Sequence, residues 1–153
     1  LGLEIDANVW VSKQISIRPN FTLSRNKNVD LAVAGQNYGT KDISYSPSVI
    51  AGNSFIYKPN ENIQIIWLQK YVGSQYMNNI ELPEAKLADY FITDLNVSYE
   101  IQPKSIFKSI VITGLANNLL SKKYVSNGYM WDVYPYYYPQ AGINFLAGVT
   151  LKF

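Results

Sequence analysis

The sequence predicts an all-β chain, an antiparallel meander of about seven strands. Three observations carry this. The last thirteen residues, 141–153, alternate with a period of two, placing Ile143, Phe145, Ala147, Val149, Leu151 and Phe153 on one side and Asn144, Leu146, Gly148, Thr150 and Lys152 on the other. Similar runs recur along the chain, separated by polar segments. The connections between them are alternately short and long. A soluble sandwich and a membrane barrel both use such strands, and the terminal strand alone does not choose between them.

In chain order, Leu3 to Val11 alternates as Leu3, Ile5, Ala7, Val9 and Val11 against Glu4, Asp6, Asn8 and Trp10. A short polar connection, 12–14, leads to a second strand over 15–24, with Ile15, Ile17, Phe21 and Leu23 opposite Ser16, Arg18, Asn20 and Thr22. Pro19 falls on its apolar side and removes a ladder hydrogen bond, which predicts a bulge. Residues 26–46, polar and holding Gly35 and Gly39, are expected to be a long loop. Val49 to Tyr57 is a third strand whose facing the pattern does not decide. A compact turn over 58–62 follows, then a fourth strand from Ile63 that runs through Tyr71 towards Tyr76. Residues 77–88 form a second long loop. The fifth strand sets Phe91, Thr93, Leu95, Val97, Tyr99 and Ile101 against Ile92, Asp94, Asn96, Ser98 and Glu100. Pro103, Lys104 and Ser105 turn the chain. Ile110 to Leu120 is a sixth strand of undecided facing, and residues 121–140 are a third long loop, with a turn expected at Asn127 and Gly128.

Composition narrows the function. Net charge is +2, and no basic stripe with interleaved rings offers itself to nucleic acid. The chain has no Cys and no His, which excludes thiolate and imidazole metal sites and the usual general base. Charged residues make up only 16% while aromatics reach 14%, a balance suited to a lipid-facing wall with interfacial rings. No apolar run approaches the ~18 residues of a spanning helix. Short connections on one side and long ones on the other are the habit of outer-membrane barrels, whose strands number evenly. Seven is odd, so at least one further strand is expected upstream of Leu1. Asp94 and Glu100 lie six residues apart on one strand, about 20 Å, too far to share a substrate bond. No catalytic residue, metal site or cofactor is expected, and the chain is not expected to be an enzyme.

The run Asn117, Asn118, Leu119, Leu120, Ser121, Lys122, Lys123, Tyr124 resembles the "NNLFDKKY" stretch near the end of TonB-dependent outer-membrane receptors. Residues 126–129, 137–142 and the closing Leu151, Lys152 and Phe153 extend the likeness, as does Tyr71 to Tyr76 beside the family's "YVGxQY". The flavour is similar to receptors of Bacteroidetes-type bacteria. The resemblance implies that residues 1–153 are the C-terminal portion, roughly the last third, of a transmembrane barrel of roughly twenty-two strands. The plug domain and the segment that engages TonB lie N-terminal to it in the family. It further implies uptake of a scarce ligand: siderophore-bound iron, haem, cobalamin, another metal complex or an oligosaccharide. The partners implied are outer-membrane lipid, the TonB energy-transducing complex and the barrel-assembly machinery, for which Phe145, Val149, Leu151 and Phe153 form the C-terminal signal. Leu120 stands where the family often has Phe.

On that reading Tyr129, Trp131, Asp132, Tyr134 and Tyr136 of the third loop, with Tyr38 and Asp42 of the first, are ligand-contact candidates, because flat rings give contact area at low entropic cost. The plainer alternative for the rings is an aromatic girdle or loop-on-loop packing. Arg18, Asn20, Asp94, Asn96, Glu100 and Asn144 should face the lumen. Two other functions compete. A soluble β-sandwich or barrel acting as a ligand-binding module would pack its apolar faces together as a core. An outer-membrane enzyme barrel is disfavoured by the lack of His in this stretch.

Overall fold

Alternation along each strand becomes a property of the whole sheet, because antiparallel partners standing opposite one another point to the same side. The computed structural model describes residues 1–103 and 106–153. In chain order its strands are β1 (Gly2–Asp6), β2 (Val9–Trp10), β3 (Ile15–Ser24), β4 (Lys27–Val33), β5 (Gln36–Asp42), β6 (Val49–Tyr57), β7 (Ile63–Val72) and β8 (Gln75–Tyr76). A short 3-10 turn, Pro83–Ala85, precedes β9 (Lys86–Leu87), β10 (Tyr90–Ile101), β11 (Ser109–Asn117), β12 (Val125–Trp131), β13 (Tyr134–Pro139) and β14 (Asn144–Lys152). The main sheet has the order β1-β3-β6-β7-β10-β11-β14, every neighbour antiparallel, with β2 also on β3. β1 and β2 together make the first of the seven expected strands. The turn expected over Pro103 to Ser105 falls at Lys104 and Ser105, outside the described residues.

Carrying the pairings across the sheet gives two chemically distinct faces. Arg18 stands opposite Ser54, Asn20 opposite Gly52, Asp94 opposite Leu68, Asn96 opposite Ile66 and Leu115, Glu100 opposite Val111, and Asn144 opposite Asn117. These registers place all six residues expected in the lumen on one face, here the polar face. The other face carries Leu3, Ile5, Phe21, Phe55, Trp67, Leu95, Val97, Ile112, Phe145, Val149 and Leu151. Its large side chains are open, with Phe145 72% and Val149 65% exposed. The two strands of undecided facing are resolved: Ala51, Phe55, Ile110 and Ile112 join the apolar face, while Ile50, Ile56, Val111 and Leu115 join the polar one.

The bulge expected at Pro19 is absent. β3 runs unbroken, with Pro19 opposite Asn53 and no register shift on either side. The irregularity appears in its neighbour. Asp6 faces Asn20 and Val9 faces Ile17, so the register continues, yet β1 stops and β2 starts on either side of Ala7 and Asn8. The Ala7 N–H donates to the Pro19 carbonyl at 3.1 Å, but Pro19 has no N–H to return the bond. The proline therefore deletes one rung on the β1 side and leaves the β6 ladder whole.

One polar row crosses the apolar face. Asn53 stands opposite Gln69, which stands opposite Thr93. The Asn53 amide donates to Gln69 Oε1 at 3.2 Å, and the Thr93 hydroxyl donates to the Leu68 carbonyl at 2.9 Å while accepting from the Trp67 indole. Pairing within the row reduces the cost of placing these groups among apolar neighbours.

Beyond β11 the chain is clasped by Asn118, which is 4% exposed and left-handed at φ 49°. Its N–H donates to Asp94 Oδ1 at 2.7 Å. Its side-chain amide donates to the carbonyls of Lys122 and Ala141 at 2.9 and 3.0 Å and accepts from the Lys122 N–H at 2.9 Å. The adjacent Asn117 donates to Asn144 at 2.9 Å. An Asn pair here thus ties β10, β11 and β14 together at the rim, and Asn tolerates the left-handed backbone better than other side chains. Asn118→Ala in the intact protein should cost about 3 kcal/mol, since three partly buried backbone hydrogen bonds are lost at about 1 kcal/mol each, and Asn118→Gly should recover only the backbone share. Urea unfolding of the three proteins checks this; equal stability of wild type and Ala variant would refute the clasp.

Candidate functional site

All three long connections leave the same rim of the sheet, where β3 gives way to β6, β7 to β10, and β11 to β14. None is an irregular loop. The first is the hairpin β4–β5, the second pairs β8 with β9 around the 3-10 turn, and the third is the hairpin β12–β13. The fourth strand ends at Val72, and Gln75–Tyr76 belongs to the second connection, short of the continuous run to Tyr76 that the sequence suggests.

The three are knit together by specific bonds. The Tyr45 N–H donates to the Tyr76 carbonyl and its hydroxyl to the Gly128 carbonyl, both at 2.8 Å. Glu81 accepts from the Asp42 N–H at 2.6 Å and pairs with Lys41 at 3.4 Å. Ser44 donates through its N–H to Asn79 at 2.8 Å, and the Tyr137 hydroxyl donates to the Glu84 carbonyl at 2.9 Å. Beneath them Met77, Ala85 and Leu87 form a small buried core, with Tyr76, Leu82, Val125 and Met130 packed against it.

The hairpin β12–β13 has two unlike sides. Register sets Asn127 opposite Tyr138, Tyr129 opposite Tyr136 and Trp131 opposite Tyr134, so these six share one side. Gly128, Met130 and Tyr137 share the other, which lies on the small core. The outward side is a panel of rings: Trp131 is 72% exposed and Tyr134 64%, and Tyr129 stacks on Tyr136 at 5.0 Å and 10°. Asp132 sits at the tip in the left-handed region, φ 55°, where it turns the chain between Trp131 and Tyr134. A flat panel of this kind can stack on planar or ring-bearing ligands.

The structure brings Tyr129, Trp131, Tyr134 and Tyr136 together with Asp132 beside them. It does not bring Tyr38 or Asp42 to that panel. Both lie on β5, where the Tyr38 hydroxyl donates to Gln36 and Asp42 pairs with Lys27 and holds Glu81 through its N–H. Asp42 is committed to the scaffold. The turn expected at Asn127 and Gly128 is a strand instead. Glycine is required there because a Cβ would collide with the Tyr136 carbonyl and approach Met77 Sδ to 2.6 Å. Tyr45, Met77 and Gly128 position the panel and Glu81 ties the first two connections together, none of them evident in the sequence; only the small residue at 128 amid large rings offers a signal. Tyr124 leans its ring on Tyr90 at 4.5 Å, and burial, then the Asp94 carboxylate, raises its hydroxyl pKa above the ordinary tyrosine value. On the polar face, Asn20, Gly52, Ser54, Lys70 and Asp94 line a shallow groove. Among the described residues no three His, Cys, Asp or Glu side chains converge as a metal site, and no helix is long and apolar enough to cross a membrane, which says nothing of crossing by strands.

Comparison with known proteins finds no matching family model and no significant match to a curated protein. Solved structures do match. The ferric enterobactin receptor PfeA of Pseudomonas aeruginosa, as its G324V mutant, superposes with a TM-score of 0.73 at 16% identity, over 99% of this chain and 22% of its own. The siderophore receptor PiuA of Acinetobacter baumannii gives 0.69 at 17%, over 97% and 21%. The open form of the ferric-catecholate import receptor Fiu of E. coli K12 gives 0.67 at 16%, over 97% and 20%. The chain therefore has the fold of a section of receptor β-barrels, and it spans about a fifth of the length of the structures it matches. Their sources lend no support to a Bacteroidetes-like origin, which rests on the motifs alone.

Gly128→Val should lift the hairpin from its support, and limited proteolysis should then cut near Trp131 to Tyr134 while the wild type resists. Tyr45→Phe, which removes one hydrogen bond worth about 1 kcal/mol, should show a milder version of the same cleavage. Unchanged protection in the valine variant would contradict the docked hairpin.

Proposed function

We propose that the chain is the C-terminal wall, with three outward connections, of a TonB-dependent outer-membrane receptor that imports a scarce ligand. The observation that carries this is the bare apolar face. Ile56 and Val72 are the sheet's buried apolar side chains among the described residues, and register puts both on the polar face; the remaining buried ones, Met77, Ala85 and Leu87, lie in the connections. A soluble binding module would cover its apolar face with a second layer, and nothing among the described residues does so. Lipid suits such a face, and closure into a barrel satisfies the strand edges that β1 and β14 present. The polar face, with Arg18, Asn20, Asp94, Asn96, Glu100 and Asn144, then lines the lumen.

The ligand classes weighed are siderophore-bound iron, haem, cobalamin, other metal complexes and oligosaccharides. The names of the structural neighbours favour an iron chelate. The aromatic panel of β12–β13 is the contact surface we assign to the ligand, with Trp131 and Tyr134 foremost. Coupling to TonB belongs, by the family resemblance, to a segment N-terminal to this section. Phe145, Val149 and Leu151, on the apolar face of the last strand, with Phe153 directly after its end, fit a signal for barrel assembly. Import needs no catalytic group in this wall.

Leu95→Arg or Val97→Arg in the intact barrel should cost ~2–4 kcal/mol near the bilayer midplane, whereas Asn96→Arg should be tolerated. Urea titration in lipid vesicles measures the difference; equal tolerance on both faces would sink the barrel reading. Trp131→Ala with Tyr134→Ala should weaken chelate uptake by cells at least about tenfold, some 1.4 kcal/mol, without changing the amount of receptor in the membrane.

A further inference from the structure

We infer that the junction of the three connections is an oxyanion-binding site centred on Lys86, separate from the aromatic panel. Lys86 lies on the wall between two cups. One is bordered by Arg25, Lys27, Asp42, Ser48 and Gln75, the other by Asp89, Lys122, Lys123, Tyr124 and Tyr137. The Lys86 ammonium stands 5.9 Å from the centre of the Tyr76 ring, a cation–π contact that holds it without neutralising it.

The charge balance is net positive. Asp42 pairs with Lys27 and Glu81 with Lys41, whereas Asp89 keeps its charge while accepting from the Tyr71 hydroxyl at 3.1 Å and exposed Glu84 takes part in no ion pair among the described residues. Among the described residues Arg25, Lys86, Lys122 and Lys123 take part in no ion pair. Lys86, Lys122 and Lys123 thus border one cup against the single carboxylate of Asp89, and Arg25 stands with Lys86 at the other, in cups that also offer hydroxyl and amide donors. Such a concentration of uncompensated charge on an ordered scaffold attracts anions. The aromatic panel, by contrast, carries Asp132 as its one charge. The chemistry that fits the junction is a phosphate or polycarboxylate group. Two sources could present it: a dissolved solute, or the phosphate headgroup of a lipid at the rim.

The site can be tested on the intact receptor, purified in zwitterionic detergent, by isothermal titration with inorganic phosphate and with citrate at low and high salt. Saturable binding to the wild type that weakens at least tenfold in Lys86→Gln and is abolished in Lys86→Gln/Lys122→Gln/Lys123→Gln is expected. Neutral maltotriose should not compete. A parallel arm compares thermal stability in nanodiscs of phosphatidylglycerol and of phosphatidylcholine. Lysine-dependent stabilisation by phosphatidylglycerol without solute binding would assign the anion to a headgroup; solute binding would assign it to a ligand. Binding or stabilisation that is identical in wild type and triple variant, or absent from both arms, would overturn the proposal. Trp131→Ala should leave the titrations unchanged, which separates this site from the panel: loss of uptake with intact anion binding would concern the panel alone.

Discussion

The structure depends on one constraint, that seven strands pair without a register slip and each pair keeps its side chains on the same side. A shift of one residue between any two strands would turn Leu95 and Val97 towards Asp94's neighbours and carry Arg18 or Glu100 to the apolar surface. The alternation is strong enough at β1, β3, β10 and β14 to fix the sides there, and the weaker strands between inherit theirs through the ladder. Pro19 is tolerated because its missing donor points away from β6, where the ladder continues, towards β1, where the rung is lost without a change of register. The Asn53–Gln69–Thr93 row is partly satisfied: Asn53 donates to Gln69 and Thr93 to the Leu68 carbonyl, while Asn53 Oδ1 is buried without a partner.

Much of this architecture was legible in the residues. The seven strands, their order and the long and short connections follow from period-two runs and from Gly and Pro at the boundaries. The facing of Val49–Tyr57 and Ser109–Asn117 was not legible, because Ile50 and Ile56 oppose Phe55 and Tyr57 in kind, and Val111 and Leu115 oppose Ile110 and Ile112. Only their partners decide. In the sequence the panel residues read as rings on a loop, and their common side is invisible without the strand register of residues 121–140. Tyr lies on both sides of β12–β13, so no alternation betrays the hairpin, and Asn127 with Gly128 imitates a turn. Asp42 drew attention as a loop carboxylate, and its commitment to Lys27 depends on a cross-strand neighbour fixed only by the hairpin register.

The Asn117–Asn118 pair shows how a motif noticed for resemblance acquires a physical account. Asn117 is an ordinary strand residue bonded to Asn144, while Asn118 is where the ladder ends, the backbone turns left-handed and the side chain substitutes for a missing stretch of strand. An amide is the side chain suited to both tasks, since it donates and accepts at once and its short stem reaches local backbone. Chemistry at the rim is divided in the same economical way. Rings gather on a hairpin whose other side is used for packing, and cations gather at the junction that packing creates.

The bonds among the connections have a consequence for how tightly any visitor is held. Surface segments that move independently must each be brought to rest by whatever binds them, and every side chain immobilised costs about 0.5–1.5 kcal/mol. Here Tyr45, Glu81 and Tyr137 have spent that freedom during folding. A molecule arriving at the rim meets one bonded surface in place of three separate arms.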